Sequence, residues 1–260
     1  MAAEDTPHAE DSIKGWVVAT YLPVALFSLK SALATASGGK TVLVPTPYAI
    51  KMALLDAAIR SQGVAFGRHL FPTIRDLRVA LDPPTRLVVL NSFGKVRRPL
   101  ELKDASKAEQ KVRDARERGA YPFQPTIAYR EYVQFGGPFR LAISAELVEE
   151  DGLITLARLL SLVNYLGKRG GFIQLVAPPV FVAAIDDRFV ELTAGQTASF
   201  ALNGTMQALD DCGPRLTFER ANIYSPERIT MGQDRILRHI PLPLSLERSS
   251  RGYSLYERID

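Results

Sequence analysis

At 260 residues, with 47% hydrophobic and 23% charged side chains, the chain is long enough to bury a full core and too mixed in composition to be a fibrous or disordered protein. Its single cysteine, Cys212, excludes an internal disulfide and a cysteine-based zinc cluster, as expected in a reducing compartment. The formal net charge is only +4, so any electrostatic function has to come from where the charges sit. The opening MAAEDTPHAEDS is polar and acidic and reads as a disordered tail over residues 1–12. No apolar run reaches membrane-spanning length, so the expected location is the cytoplasm, with no membrane partner. Residues 13–29, rich in Val, Trp, Tyr and Phe, predict one long or two short strands interrupted at Pro23. The stretch ATASGGKT (34–41) invites a phosphate-loop reading. Ala34 stands where that pattern needs glycine, however, and Lys40-Thr41 run into extended Val42-Leu43-Val44-Pro45 instead of opening a helix. Gly38 and Gly39 are therefore read as a hairpin turn.

Pro45-Thr46-Pro47 leads into a helix: Thr46 suits the N-cap and Pro47 the first helical position. Ile50, Ala53, Leu54, Ala57 and Ala58 then recur on one face until Gln62-Gly63. Pro45, Thr46, Tyr48 and Lys51 lie at its positive N-terminal end, where a backbone phosphate would be favoured; packed Tyr48 and solvated Lys51 are the plainer alternative. Two strands follow, 76–81 and 86–93, around the turn Asp82-Pro83-Pro84. Residues 95–118 then hold nine basic side chains (Lys95, Arg97, Arg98, Lys103, Lys107, Lys111, Arg113, Arg116, Arg118) against five acids, a surplus equal to the whole net charge. Such an arm points to a polyanion. It is equally readable as a solvated helix held by the i, i+4 pairs Glu109–Arg113 and Asp114–Arg118. A Pro-rich aromatic return, GAYPFQP with Tyr121 and Phe123, leads to strands at 126–133 and 139–145, so the arm is an insertion between strands.

A second amphipathic helix is predicted over 153–166, followed by Gly167-Lys168-Arg169-Gly170-Gly171 and a strand at 172–176. One glycine is enough to end the helix. The other two leave bare backbone beside two cations, which lets a phosphate chain approach closely. The resulting order is that of an α+β, ferredoxin-like β-α-β-β-α-β unit over residues 13–176. Residues 177–260, with strand-like pieces at 180–185, 188–192, 215–220 and 253–258, read as a small β-rich lobe or as added strands. His69 and His239 are isolated, no metal-ligand spacing appears, and no cofactor or metal is expected. Phe135-Gly136-Gly137-Pro138-Phe139 does not match the aromatic signature of RRM-type RNA binders.

The Pro-x-Pro lead-in 45–51, the basic insertion, the returning Thr126-Ile127-Ala128-Tyr129-Arg130-Glu131-Tyr132-Val133 and the loop Asn164-Tyr165-Leu166-Gly167-Lys168-Arg169-Gly170-Gly171 together resemble Cas protein family five. These are the RAMP-type subunits of type I CRISPR surveillance complexes used in antiviral defence. The resemblance implies a thumb at about 95–125 and a 167–171 loop that faces RNA. It also implies a subunit that caps the 5′ repeat-derived handle of the crRNA, beside the backbone and large subunits of a Cascade-like complex and, through that complex, near target DNA. The chain departs from the family in two ways. The glycine-rich loop that many RAMP proteins carry near the C-terminus is not evident, and neither is the Tyr, His and Lys set of the members that cleave repeats. The expectation is a non-catalytic guide-RNA binder in which arm cations neutralise phosphates and Tyr121 or Phe123 stacks a base. The alternatives are a metal-independent repeat endoribonuclease using His69 or His239 with Lys168, and a protein-interaction subunit whose arm grips an acidic surface.

Overall fold

The computed structural model describes residues 15–34, 38–102, 105–146, 150–194 and 204–259; the expected tail and Lys103 lie outside them. It is a mixed α/β structure built on antiparallel sheets, and none of its described helices is long and apolar enough to cross a membrane. Strand β1 (Trp16–Pro23) alternates its side chains. Val17, Ala19 and Tyr21 enter the main core, while Trp16 and Val18 enter a small second cluster on the opposite face with Ala80 and Ala142. The strand stops at Pro23, and the expected second piece survives as bridges from Phe27 to Val133 and from Lys30 to Thr41. Gly38–Gly39, read as a hairpin turn, instead forms a two-residue strand, β2, parallel to Tyr129 and Arg130.

Helix α1 (Pro47–Asp76) begins as expected and breaks at Gly63, whose φ of 88° is the left-handed conformation glycine supplies. It then resumes to Asp76, through Pro72, in a stretch with no clean apolar stripe. The following strand β3 accordingly starts late (Val79–Asp82). Strands β4 (Arg86–Pro99) and β5 (Phe123–Phe135) pair without interruption from Leu87–Phe135 to Pro99–Phe123, a hairpin longer than the predicted 86–93 and 126–133. Its far end carries a 3-10 turn (Ala105–Lys107) and the ten-residue helix α2 (Ala108–Glu117). Strand β6 (Phe139–Ser144), helix α3 (Glu150–Leu162) and strand β7 (Ile173–Leu175) follow.

The described part of residues 177–260 is β-rich, and most of its strands are added to sheets begun earlier in the chain. Strands β8 (Val180–Val182) and β9 (Val190–Glu191) join the central sheet, whose order is β7-β1-β6-β3-β9 with β8 also on β1. Strands β10 (Thr205–Cys212) and β11 (Arg235–Leu242) pair with each other, connected through the short helix α4 (Phe218–Ala221), which replaces the expected strand at 215–220. Strands β12 (Leu244–Ser249) and β13 (Tyr253–Arg258) extend the sheet of the long hairpin. Leu209, Leu216, Ile240 and Leu242 bury themselves in the same core as α1 and α3.

Candidate nucleic-acid interface

Three chain segments meet at the start of α1. Thr46 caps the helix, its hydroxyl accepting from Ala49 N at 3.2 Å, so its side chain is committed and Pro45 beside it is buried. Lys51 is a correction to the sequence reading. It is 2% exposed, and its Nζ donates to Asp211 Oδ1 at 2.7 Å and to the Arg75 carbonyl at 2.8 Å. Asp211 also accepts from Arg238 Nε and from Cys212 N. Desolvating a lysine costs several kcal/mol, and only a pairing of this completeness offsets it. Lys51 therefore ties α1 to β10 and is not available to a phosphate. Tyr48 does reach the site: its ring lies under the Arg235 guanidinium, 4.2 Å from the centroid, and burial raises its hydroxyl pKa despite that cation.

The second segment is the loop after α3. Gly167 and Gly170 have φ of 72° and 110°, while a Cβ on Gly171 would sit 2.7 Å from the Leu166 carbonyl oxygen. All three glycines are thus required by the turn itself, which closes through Leu166 N to Gly171 O and Gly171 N to Lys168 O. Gly171 is buried, against the expectation that it offers bare backbone to RNA; Lys168, Arg169 and Gly170 are exposed. The third segment is the 28–34 loop, held by Val42 N to Leu29 O and Ser31 N to Lys40 O.

Between them lies a cleft of about 420 Å³ lined by Lys30, Tyr48, Met52, Tyr165, Lys168 and Arg235, among others. Asp210 is the acid in its wall, and it already accepts from Arg235 Nε at 2.6 Å. Lys30 and Lys168 also line a smaller adjoining recess of about 60 Å³, where Arg98 of β4 and Arg130 of β5 come in from the hairpin. Glu131 in that recess accepts from Thr41 N at 2.8 Å. Among the described residues, Lys30, Arg98, Arg130 and Lys168 enter no ion pair. Four cations from four separate segments thus face one concavity whose carboxylates are engaged by the protein.

The register separates the predicted arm residues. Arg98 shares one face of the hairpin with Arg130, whereas Lys95 and Arg97 occupy the other with Phe93, Phe123, Ile127 and Tyr129. Lys107, Lys111, Arg113, Arg116 and Arg118 are exposed on and around α2 at the tip. The two expected i, i+4 ion pairs do not form among the described residues; Arg118 Nε donates to the Asp114 carbonyl, and Gln110 to its carboxylate. Tyr121 has the Arg116 guanidinium over its ring at 4.8 Å, leaving one face open, and Phe123 is exposed. Sequence reading missed Lys30, Arg130, Tyr165, Asp210 and Arg235. Arg130 and Tyr165 do stand inside motifs already singled out, but Asp210 and Arg235 carry no signal beyond charge within apolar strands.

The groups considered for catalysis lie elsewhere. His69 lines an apolar groove between α1 and α3 with Phe66, Leu70 and Leu156, and His239 is exposed on β11; neither lines the cleft that contains Lys168. Burial pushes the Cys212 thiol up to about 12, so it is not a thiolate near neutrality.

A comparison with protein families finds no match. Among curated proteins, the CRISPR-associated protein Cas5 of Archaeoglobus fulgidus is 24% identical over 223 residues, covering 81% of this chain and 85% of that protein. The resemblance to Cas protein family five holds. Two solved structures align over 95% of the chain. They are a CRISPR protein from Archaeoglobus fulgidus (13% identity, TM-score 0.43, 92% of that chain) and a CRISPR RNA-guided surveillance complex (12%, 0.42, 91%).

Proposed function

We propose that this chain is a non-catalytic, guide-RNA-binding subunit of a type I CRISPR surveillance complex that holds the 5′ repeat-derived handle of the crRNA. In this reading the central sheet with α1 and α3 is a ferredoxin-like, RAMP-type domain, a topology supported by the order β7-β1-β6-β3. The β4–β5 hairpin with its tip helix is the thumb. The observation that carries the proposal is the convergence of Lys30, Arg98, Arg130 and Lys168 on one recess continuous with the 420 Å³ cleft. Concave walls concentrate the field of these cations, and the tyrosines of the cleft supply surfaces on which an unpaired base can stack. Four neutralised phosphates on a single strand correspond to a salt slope of about −3. The likeness to a curated Cas5 supports a CRISPR role over other uses of a basic cleft.

Fluorescence anisotropy with repeat-handle RNA tests this directly. The Arg98→Glu/Lys168→Glu double variant is expected to bind at least about thirtyfold more weakly and with a shallower salt slope, its melting temperature unchanged because both side chains are exposed. Wild-type affinity in the double variant would refute the cleft as the RNA site. Repeat RNA cut at one position by the purified chain would refute the non-catalytic part.

A further inference from the structure

The outer face of the central sheet is covered along half of its length and bare along the other. Near Trp16 and Val18, the chain's own Val182, Ile185 and Phe189 pack over it. Farther along, strand alternation brings Leu22 of β1 and Val24 just beyond it to the same face as Phe172, Val176 and Val180. Nothing described covers them, and the last four are 57%, 50%, 55% and 56% exposed. No charged residue occurs anywhere in 15–29 or 170–185, so the patch lacks the lysines and acids that normally keep an open sheet soluble. Strand β7 moreover ends the sheet on this side.

One border of the patch is strongly polar. Thr20 pairs in register with Arg140, which donates to Asp82 at 2.8 Å and to Asp186 at 3.0 and 3.1 Å. Arg258 also donates to Asp82. With those carboxylates taken, the neighbouring Arg188 stays 3.5 Å from Asp82 and half exposed. An apolar centre bordered by an under-used guanidinium has the anatomy of a protein–protein interface.

We propose that this face docks a different protein subunit, one that presents an uncharged apolar surface with a carboxylate at its margin to meet Arg188. A nucleic acid does not fit, because the apolar centre offers no cation to a phosphate and a single guanidinium at its border cannot hold a strand. The chain's first twelve residues do not fit either, since they hold four acids and, apart from Met1, no large apolar side chain. The inference does not depend on the RNA reading, because the patch is on the sheet face opposite the helices and the cleft.

The test places a photocrosslinking amino acid at position 176 or 180 of the full chain within its native assembly and maps the crosslinks by mass spectrometry. The expected result is one apolar segment of another subunit with an acidic residue beside it. Val176→Glu/Val180→Glu should lower incorporation at least tenfold while handle-RNA binding and the melting temperature stay at wild-type values. Arg188→Glu should do so more mildly and be rescued by reversing the mapped acid to Lys. Lys168→Glu should behave in the opposite way, losing RNA and keeping the protein contact. Crosslinks to a second copy of this chain, crosslinks to RNA, or wild-type incorporation of the double variant would each overturn the proposal.

Discussion

The helix at the tip of the β4–β5 hairpin and the recess beside the hairpin are both basic, but their charge is organised differently. At the tip, the cations of α2 follow one another along a single exposed helix, interleaved with Glu109, Asp114 and Glu117. In the recess, Lys30, Arg98, Arg130 and Lys168 arrive from four segments beside an acid already bonded to the protein. Dense charge along a sequence marks a flexible, screened surface as readily as a site. A concave wall that gathers cations from separate segments makes far more of the same number of charges.

The sharpest contrast sets two lysines near the cleft against each other. Lys51→Met is expected to cost about 3 kcal/mol in urea denaturation, because it leaves the buried Asp211 with Arg238 as its one remaining cation, whereas Lys168→Met should stay within about 0.5 kcal/mol of wild type. Equal losses would mean that Lys51 is not the structural cation its burial makes it. Next in size, Lys111→Glu/Arg113→Glu at the tip should weaken handle-RNA binding by no more than about fivefold, since exposed, screened charges contribute little each. A loss as large as that from the Arg98→Glu/Lys168→Glu variant would erase the distinction between the two regions.

The smallest effect concerns the wall behind the cleft. The Cys212 thiol has a folded pKa of about 12 against 9.0 in the open chain, raised mainly by burial. Folding thus favours the protonated form, and the unfolded chain loses its proton first. Stability should be unaffected by this group below pH 9 and fall as pH rises from 9 to 12, with Tyr21, raised by burial in the same sense, adding to the fall above pH 10. Urea midpoints between pH 8 and 10 should decline less in Cys212→Ala than in wild type; equal declines would count against a buried thiol.

Much of the framework was legible without coordinates, and the reasons are local. Thr46 and Pro47 start α1, Gly63 breaks it where its sequence says, and the basic insertion lies between two strands that do pair. The second half of α1 escaped because Pro72 and a patternless run of small and aromatic residues hide a helix that packing, through Phe71 and Ile74, sustains. Lys51 escaped because its partner Asp211 lies 160 residues away on a strand that had not been assigned. The sequence left the C-terminal third open between a lobe and added strands, because its strands are short and widely spaced and the pairing partners of β9 and β13 belong to earlier sheets.

The amino-acid sequence by itself determined the helix starts and stops, the strand runs, the cationic insertion and the family likeness, because caps, glycines, periodicity and composition act over a few residues. Which of the cations face a common concavity, which one is buried as a strut, and which stretch of uncharged sheet is left open were decided only in the tertiary structure. Those outcomes depend on contacts between segments tens to hundreds of residues apart, and no local pattern encodes that distance.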